Sequence, residues 1–477
     1  MTEPNAERPT AVLVAVQLPH VSDTQHEADL AELERLVHTL GLDVIGRVTQ
    51  RRTHLRSGTV LGLGKLRELA LWTGGSGEAQ PFVARKSKLR DRREREAAER
   101  EELDDELDDE GLDEAAPDDD TDDGFDAASV PAPAKRAAVV VVDHELSPRQ
   151  ARNLERATSA EVLDRTQVIV EIFHRHAKSR EARLQVEIAR LMYVAPRLRE
   201  AGAGQDRQRG GIGGKGAGES ALELDRRKIR DRIAELRREL TSIQAEQATR
   251  RSARKEARRV ALVGYTNAGK SSLMRALTGS EVYVADKLFA TLDTTVRALK
   301  PETEPRILVS DTVGFIKKLP HQLVASFRST LDEAHEASLL LFVVDASDPT
   351  FREQLAVTQE VLGEIGALAV DSRLVLNKRD RLDDDASRAL LREFPDAILI
   401  STRDPADVGR MRERIVAFFD GELVDDEVFV PYARHGLVQR ARELGKVLGE
   451  EHGDEGTTLR WRATKAAVAR LHDELGA

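Results

Sequence analysis

Val260-Ala261-Leu262-Val263-Gly264-Tyr265-Thr266-Asn267-Ala268-Gly269-Lys270-Ser271 is the stretch from which the fold can be read. Four apolar residues make a short buried strand, G-x-x-x-x-G-K-S follows, and Ser272-Leu273-Met274-Arg275-Ala276-Leu277 continues at helical spacing. Strand, glycine loop and helix in that order make a phosphate-binding loop. The glycines let the backbone wrap an anion without Cβ clashes, so that successive N–H groups point inward. The helix start adds its positive dipole end, Lys270 brings a point charge for the β- and γ-phosphates, and Ser271 offers a hydroxyl to Mg²⁺.

Working outward, Asp311-Thr312-Val313-Gly314 comes 40 residues later, at the end of the apolar run Ile307–Val309. An Asp there can hold Mg²⁺ through water, and the Gly314 N–H can sense a γ-phosphate. Asn377-Lys378-Arg379-Asp380 directly follows the strand-like Arg373–Leu376. A carboxylate at Asp380 accepts hydrogen bonds from the N1–H and exocyclic amine of guanine, a donor pair that adenine lacks. Ser401-Thr402-Arg403, after Ala397–Ile400, falls where a closing loop meets the base oxygen, although it departs from the usual Ser-Ala pair of small GTPases.

Between the first two motifs lies Phe289-Ala290-Thr291-Leu292-Asp293-Thr294-Thr295. A switch threonine must give its hydroxyl to Mg²⁺ only when the γ-phosphate is present. Three threonines compete, with Thr291 first and Thr294 second. Phe315 occupies the place where many signalling GTPases carry a water-orienting glutamine, so intrinsic hydrolysis is expected to be slow and to await a partner. Asn267 either braces the loop or holds K⁺ beside the phosphates, as in potassium-stimulated relatives.

At 477 residues the chain has room for about three domains. It has no cysteine, which excludes disulfides and thiolate metal sites. Met1–Pro9 is polar and lacks a signal-like pattern, and the longest apolar run, Leu339–Val344, is far below a membrane span. The chain therefore reads as soluble and cytoplasmic, and it is expected to be a monomer. Its net charge of −11 misleads, because Glu101–Asp126 holds 16 acidic residues and no basic ones. Removing those 16 from the 84 acidic residues leaves 68 against 73 basic ones, so a nucleic-acid partner is not excluded.

The fold class expected is α/β: a P-loop domain with a doubly wound parallel sheet, an α/β amino-terminal domain, a two-helix antiparallel coiled coil and a small α+β carboxy-terminal module. The amino-terminal domain spans 1–165. It has strands at Ala11–Gln17, Asp43–Val48 and Ala137–Val142, helices at His26–Leu40, Lys65–Trp72 and Ser147–Arg156, and a disordered insertion over 85–135. The coiled coil spans 166–258. It is read as one helical stretch from Thr166 to Ala201, a glycine-rich tip over 205–220, and a second helix with Leu222, Ile229, Ile233, Leu236, Leu240 and Ile243 in a heptad seam. Asp225–Arg259 carries 13 basic against 6 acidic residues. The P-loop domain runs over 259–421. The tail, 422–477, has a strand at Val428–Val430, a helix from Gly436 and a last helix from Ala463.

Two lookalikes fail on inspection. Gly62-Leu63-Gly64-Lys65 is followed by Leu66 and has no hydroxyl for Mg²⁺; Gly213-Gly214-Lys215 has Arg209 where the first glycine should stand. His174 and His176 fall on different helix faces, so they do not pair on a metal. The loop Gly210–Ser220 is flanked by Arg207, Arg209, Arg226, Arg227 and Lys228. Glycines beside guanidinium groups suit insertion into folded RNA, while a plain connector is the simpler alternative.

Taken together these residues resemble the HflX family of translational GTPases over most of the chain outside 85–135. The stretches that carry the resemblance are Asp143–Glu155, Leu163–Ala177, the Arg207–Ser220 loop, Gly264–Leu273, Leu288–Asp293 and Asp311–Leu331. The resemblance implies GTP and GDP as ligands, with contacts at Gly264, Tyr265, Thr266, Asn267, Ala268, Gly269, Lys270 and Ser271. Further contacts would fall on Phe289, Ala290, Thr291, Leu292 and Asp293, on Asp311–Gly314, on Asn377–Asp380, and on Ser401–Arg403. It implies Mg²⁺ on Ser271 and Thr291, and Lys270, Thr291 and Gly314 in catalysis. It also implies a ribosome-associated protein whose glycine loop reaches the peptidyl-transferase region of the large subunit and which can split stalled ribosomes. Thr294 departs from the proline usual there.

Overall fold

The computed structural model describes residues 8–55, 58–78, 134–201, 221–252, 258–279, 288–289, 294–318, 333–421 and 423–476; the side chains of 198–201, 221–223 and 246–252 are not included. The expected insertion 85–135 lies almost entirely outside these residues. The glycine-rich tip and the segment Ala290–Asp293 lie wholly outside them. Two compact units divide at Arg165/Thr166.

The first unit is a four-stranded parallel sheet in the order β2-β1-β3-β4, formed by β1 (Thr10–Gln17), β2 (Asp43–Arg51), β3 (Val139–Val142) and β4 (Glu161–Asp164). Helices α1 (Asp23–Thr39), α2 (Leu63–Thr73) and α3 (Pro148–Thr158) cover it. Ser22 and Ser147 cap α1 and α3 by accepting backbone N–H bonds, and Ser147 forms a full capping box with Gln150. β4 is a strand that the sequence reading lacks, since Glu-Val-Leu-Asp is too short and too polar at its ends to stand out. Lys65, in the rejected lookalike, pairs with Glu68 at 2.6 Å in the first turns of α2.

In the second unit, the helical stretch from Thr166 is two helices, α4 (Arg165–His176) and α5 (Arg180–Ala201). They are separate because Ser179 accepts the Ala182 N–H at 3.0 Å and starts a new helix. α5 packs against α6 (Ala221–Ser252), with Leu184, Ile188 and Leu191 meeting Ile233, Leu236 and Leu240. Ion pairs Arg180–Glu239 and Glu187–Arg232, at 2.6 and 3.0 Å, show that the two helices run antiparallel.

The six-stranded sheet that follows has the order β10-β9-β8-β5-β7-β6. Its strands are β5 (Arg258–Val263), β6 (Thr295–Ala298), β7 (Ile307–Asp311), β8 (Leu339–Asp345), β9 (Ser372–Asn377) and β10 (Ile398–Leu399). All neighbours are parallel except β6, which pairs antiparallel with β7 and was not foreseen. Central β5 is buried on both faces. Val260 and Leu262 enter one core with Leu341 and Ile415, and Ala261 and Val263 enter the other with Leu340 and Phe342. That two-sided burial is why the strand is an unbroken apolar run. Helices α7 (Lys270–Thr278), α8 (Phe351–Glu364), α9 (Asp384–Glu393) and α10 (Pro405–Asp420) complete the layers.

The tail corrects the sequence reading. A three-stranded antiparallel sheet in the order β11-β13-β12 is formed by β11 (Leu423–Pro431), β12 (Gly445–His452) and β13 (Gly456–Thr464), with α11 (Gly436–Leu444) and α12 (Lys465–Gly476). Two strands were missed, and Ala463 lies inside one of them, β13, with the last helix starting two residues later at Lys465. In β13 Leu459, Trp461 and Ala463 are buried, while Arg462 turns outward to Asp425.

Candidate nucleotide-binding site

Everything in the site sits at the carboxyl ends of β5, β7, β9 and β10, where a parallel sheet leaves its crevice. Gly264 leaves β5 at φ +149°, and a Cβ there would lie 2.1 Å from the Val343 carbonyl oxygen. Gly269 stands at φ +97°, and its Cβ would fall 2.2 Å from Asn377 Nδ2. Both positions therefore admit glycine alone, for conformation and for space. Asn267 is half-buried with φ +60°. The Thr266 hydroxyl is buried and makes no hydrogen bond, the condition a phosphate oxygen would relieve.

Lys270 opens α7 and is buried. Its Nζ donates to the carbonyls of Gly264 (3.1 Å) and Tyr265 (2.8 Å). Burial lowers its pKa to about 8, against the opposing pull of Asp311. Ser271, next in the helix, donates its hydroxyl to Asp311 Oδ2 at 2.6 Å, and Asp311 is fully buried at the end of β7. A hydroxyl and a carboxylate held together this way are the hard oxygen donors that Mg²⁺ takes. Among the described residues no cluster of three or more His, Asp or Glu could hold a metal by itself.

The Asp311 loop is tied to the phosphate loop by backbone. Phe315 N donates to Gly264 O at 3.1 Å, and Thr266 N donates to Phe315 O at 2.8 Å. Lys317 N donates to the Tyr265 hydroxyl at 2.7 Å. Gly314 lies so close that a Cβ would sit 2.9 Å from Thr266 Cα and 3.0 Å from Lys270 Nζ. The Thr312 hydroxyl donates inward to Leu262 O at 2.8 Å, so its side chain serves the sheet. Val313 is buried. The Phe315 ring enters the core with Ala334, Leu340 and Phe342.

The other end of the crevice is equally ordered. Asn377, fully buried, donates Nδ2–H to Ala268 O at 2.9 Å and accepts Thr402 N–H at 3.3 Å, so one side chain spans three loops. Lys378 adopts φ +65° and its Nζ pairs with Asp345 at 2.6 Å. Asp380 accepts the Ser401 hydroxyl at 2.7 Å, and that bond, aided by Arg403 at 3.7 Å, holds its carboxyl below the usual range. It remains ionised and an acceptor only, as guanine's two donors require. The Arg379 guanidinium turns away, toward Asp404 and Asp407.

The structure thus gathers Gly264–Ser271, Asp311–Gly314, Asn377–Asp380 and Ser401–Arg403 around one crevice. Phe289 is buried against Phe173 of α4. Ala290–Asp293 lie outside the described residues. Asp345, Asp407 and Phe173 also bear on the site and were not singled out from sequence, because each comes from an element whose approach to the crevice has no local signature.

Three family models match the chain. One described as "GTP-binding GTPase N-terminal" covers residues 27–96 and 128–174, one described as "GTP-binding GTPase Middle Region" covers 176–254, and one described as "50S ribosome-binding GTPase" covers 259–378. GTPase HflX of Gluconacetobacter diazotrophicus is 59% identical over 470 residues, 98% of each chain. GTPase HflX of Escherichia coli is 39% identical over 328 residues, 68% of this chain and 77% of that one. A solved GTP-binding protein from Sulfolobus solfataricus, in complex with GDP, is similar at 23% identity with a TM-score of 0.41, over 86% of this chain and 98% of that one.

Proposed function

Because the chain belongs to the HflX family of GTPases, we propose that it directs its hydrolysis of GTP to the large ribosomal subunit and there splits or rescues stalled ribosomes. The observation that carries this reading is the continuity between arm and pocket. α6, rich in exposed arginine, ends at Ser252, β5 begins at Arg258, and β5 runs straight into the phosphate loop. A change at the nucleotide is thereby one strand away from a helical arm suited to RNA. The arm and its glycine-rich tip, 205–220, are read as the part that enters ribosomal RNA, and GTP hydrolysis as the step that releases it. The protein acts in the cytoplasm on this reading; among the described residues no helix is long and apolar enough to cross a membrane.

In the pocket, Gly264–Ser271 cradle the phosphates with backbone N–H groups, and Lys270 supplies the charge between them. Ser271 and Thr291 are the hydroxyls assigned to Mg²⁺, with Asp311 orienting Ser271. Mg²⁺, when bound, neutralises charge developing on the β- and γ-phosphate oxygens. Gly314 offers its N–H to the γ-phosphate, and Asn267 is assigned a K⁺ ion beside it. Asp380 selects guanine, while Asn377 and Ser401–Arg403 close over the base. Phe315 leaves the attacking water unoriented until the ribosome completes the site.

The test is GTP turnover with and without large subunits, together with co-sedimentation in GTP and GDP. Stimulation of at least about tenfold and GTP-dependent pelleting are expected. Equal turnover in both would sink the reading; binding to precursor particles alone would replace it with an assembly role. Lys270→Ala should abolish nucleotide binding and Asp380→Asn should weaken guanine selectivity; retained GTP affinity in both would overturn the pocket assignment.

A further inference from the structure

Asp407 lies in the first turn of α10 with its side chain fully buried. It is not needed to cap that helix, because Asp404 is the N-cap and accepts Ala406 N–H at 2.9 Å. A buried carboxylate persists only where charges and donors satisfy it. Here the partners come from both base-side loops. Asp407 Oδ2 accepts the Ser401 backbone N–H at 2.8 Å and meets the Arg379 guanidinium at 3.2 Å, while Oδ1 accepts from Arg410. Arg379 belongs to the loop after β9 and Ser401 to the loop after β10. The same two loops are joined above by Ser401 Oγ on Asp380 and by Arg379 N on Ile400 O at 3.0 Å.

We propose that Asp407 is a specificity-determining positioning residue. It touches no nucleotide; from beneath the crevice it sets the spacing between Asn377–Asp380 and Ser401–Arg403. That spacing decides whether the Asp380 carboxylate meets both the N1–H and the exocyclic amine of guanine. The proposal rests on the assignment of these two loops to the base.

The test compares affinities of the full chain for GDP and inosine diphosphate, which lacks the exocyclic amine, in Asp407→Ala and Asp407→Asn, with melting temperature measured alongside. In Asp407→Ala the preference for GDP falls about tenfold, the loss of one charge-assisted bond's worth of registration. In Asp407→Asn the amide oxygen still accepts Ser401 N–H, so the preference falls less, about threefold. An unchanged GDP-to-inosine ratio in the folded variants overturns the proposal, even if both affinities drop together. If the alanine variant does not fold, the ratio in the asparagine variant decides. Asp380→Asn is the separate control. An unchanged preference there overturns the base-site assignment and with it the role of Asp407; a lost preference there with none lost at Asp407 overturns only the latter.

Discussion

The rings of Phe173 and Phe289 meet edge to face, with centroids 4.5 Å apart and planes inclined by 67°. Phe173 is fully buried in α4, the helix that leads into the arm. Phe289 is also buried, holds φ +57°, and stands two residues before Thr291. A bulky residue rarely takes that backbone conformation unless packing compensates for it. The helix before the arm therefore packs directly on Phe289, two residues ahead of the proposed switch threonine in sequence.

Removing either ring should destabilise the fold by about 3 kcal/mol, and the two losses should not add. A double-mutant cycle over Phe173→Ala and Phe289→Ala, read by urea unfolding, is expected to show about 1 kcal/mol of coupling. Phe173→Ala should also change the ratio of GTP to GDP affinity, although Phe173 is remote from the crevice in sequence. Additive losses with an unchanged ratio would show that the contact is packing alone.

Lys270 gives a pH signature. With its pKa lowered to about 8 by burial, the unliganded protein gives up the Lys270 proton as pH rises through that range. Phosphate requires the ammonium, so nucleotide binding near pH 8 should take up protons, and affinity should fall as pH rises further. Calorimetry in buffers of different ionisation enthalpy measures this uptake; none at pH 8 would refute it.

Phe315→Gln tests whether a glutamine could be restored. The native ring is only 3% exposed and packs among Ala334, Leu340 and Phe342, so an amide there would be buried without partners. The variant should lose about 2 kcal/mol or more of stability and gain no hydrolysis. Single-turnover rates more than tenfold above wild type would show that the side chain reaches the γ-phosphate after all.

Gly269→Ala should weaken both ends of the pocket at once. Its Cβ would strike Asn377 Nδ2, the donor that holds Ala268 O, and φ +97° is unfavourable for alanine. A loss of at least about 2 kcal/mol in GDP affinity is expected. Titration with GDP that shows wild-type affinity would mean that the two loops are not coupled through Asn377.

Much of this was legible in the chain. The buried run Val260–Val263, the glycine loop and the helix after it were read correctly because each depends on neighbours in sequence. Elements whose pattern comes from distant partners were not. β12 and β13 were overlooked: Leu459, Trp461 and Ala463 do alternate with Arg460 and Arg462 along β13, but the partners that make it a central strand lie on β11 and β12. β6 is a four-residue edge strand that gains its shape from β7. The break between α4 and α5 was hidden because only residues 177–179 separate the two helices, too short a gap to interrupt the apolar pattern.

By itself the sequence determined the chemistry on offer: a phosphate loop, an acidic acceptor for guanine, a metal-seeking hydroxyl, and a phenylalanine in the place where many signalling GTPases carry a glutamine. These follow from side-chain identity and from backbone needs that glycine alone meets. Tertiary structure decided which way those groups face. It turned Phe315 into the core, Thr312 into the sheet and Arg379 toward Asp407, and it set Phe173 against Phe289. Orientation of this kind depends on which strands become neighbours, and that is settled when the sheet packs, by contacts far apart along the chain.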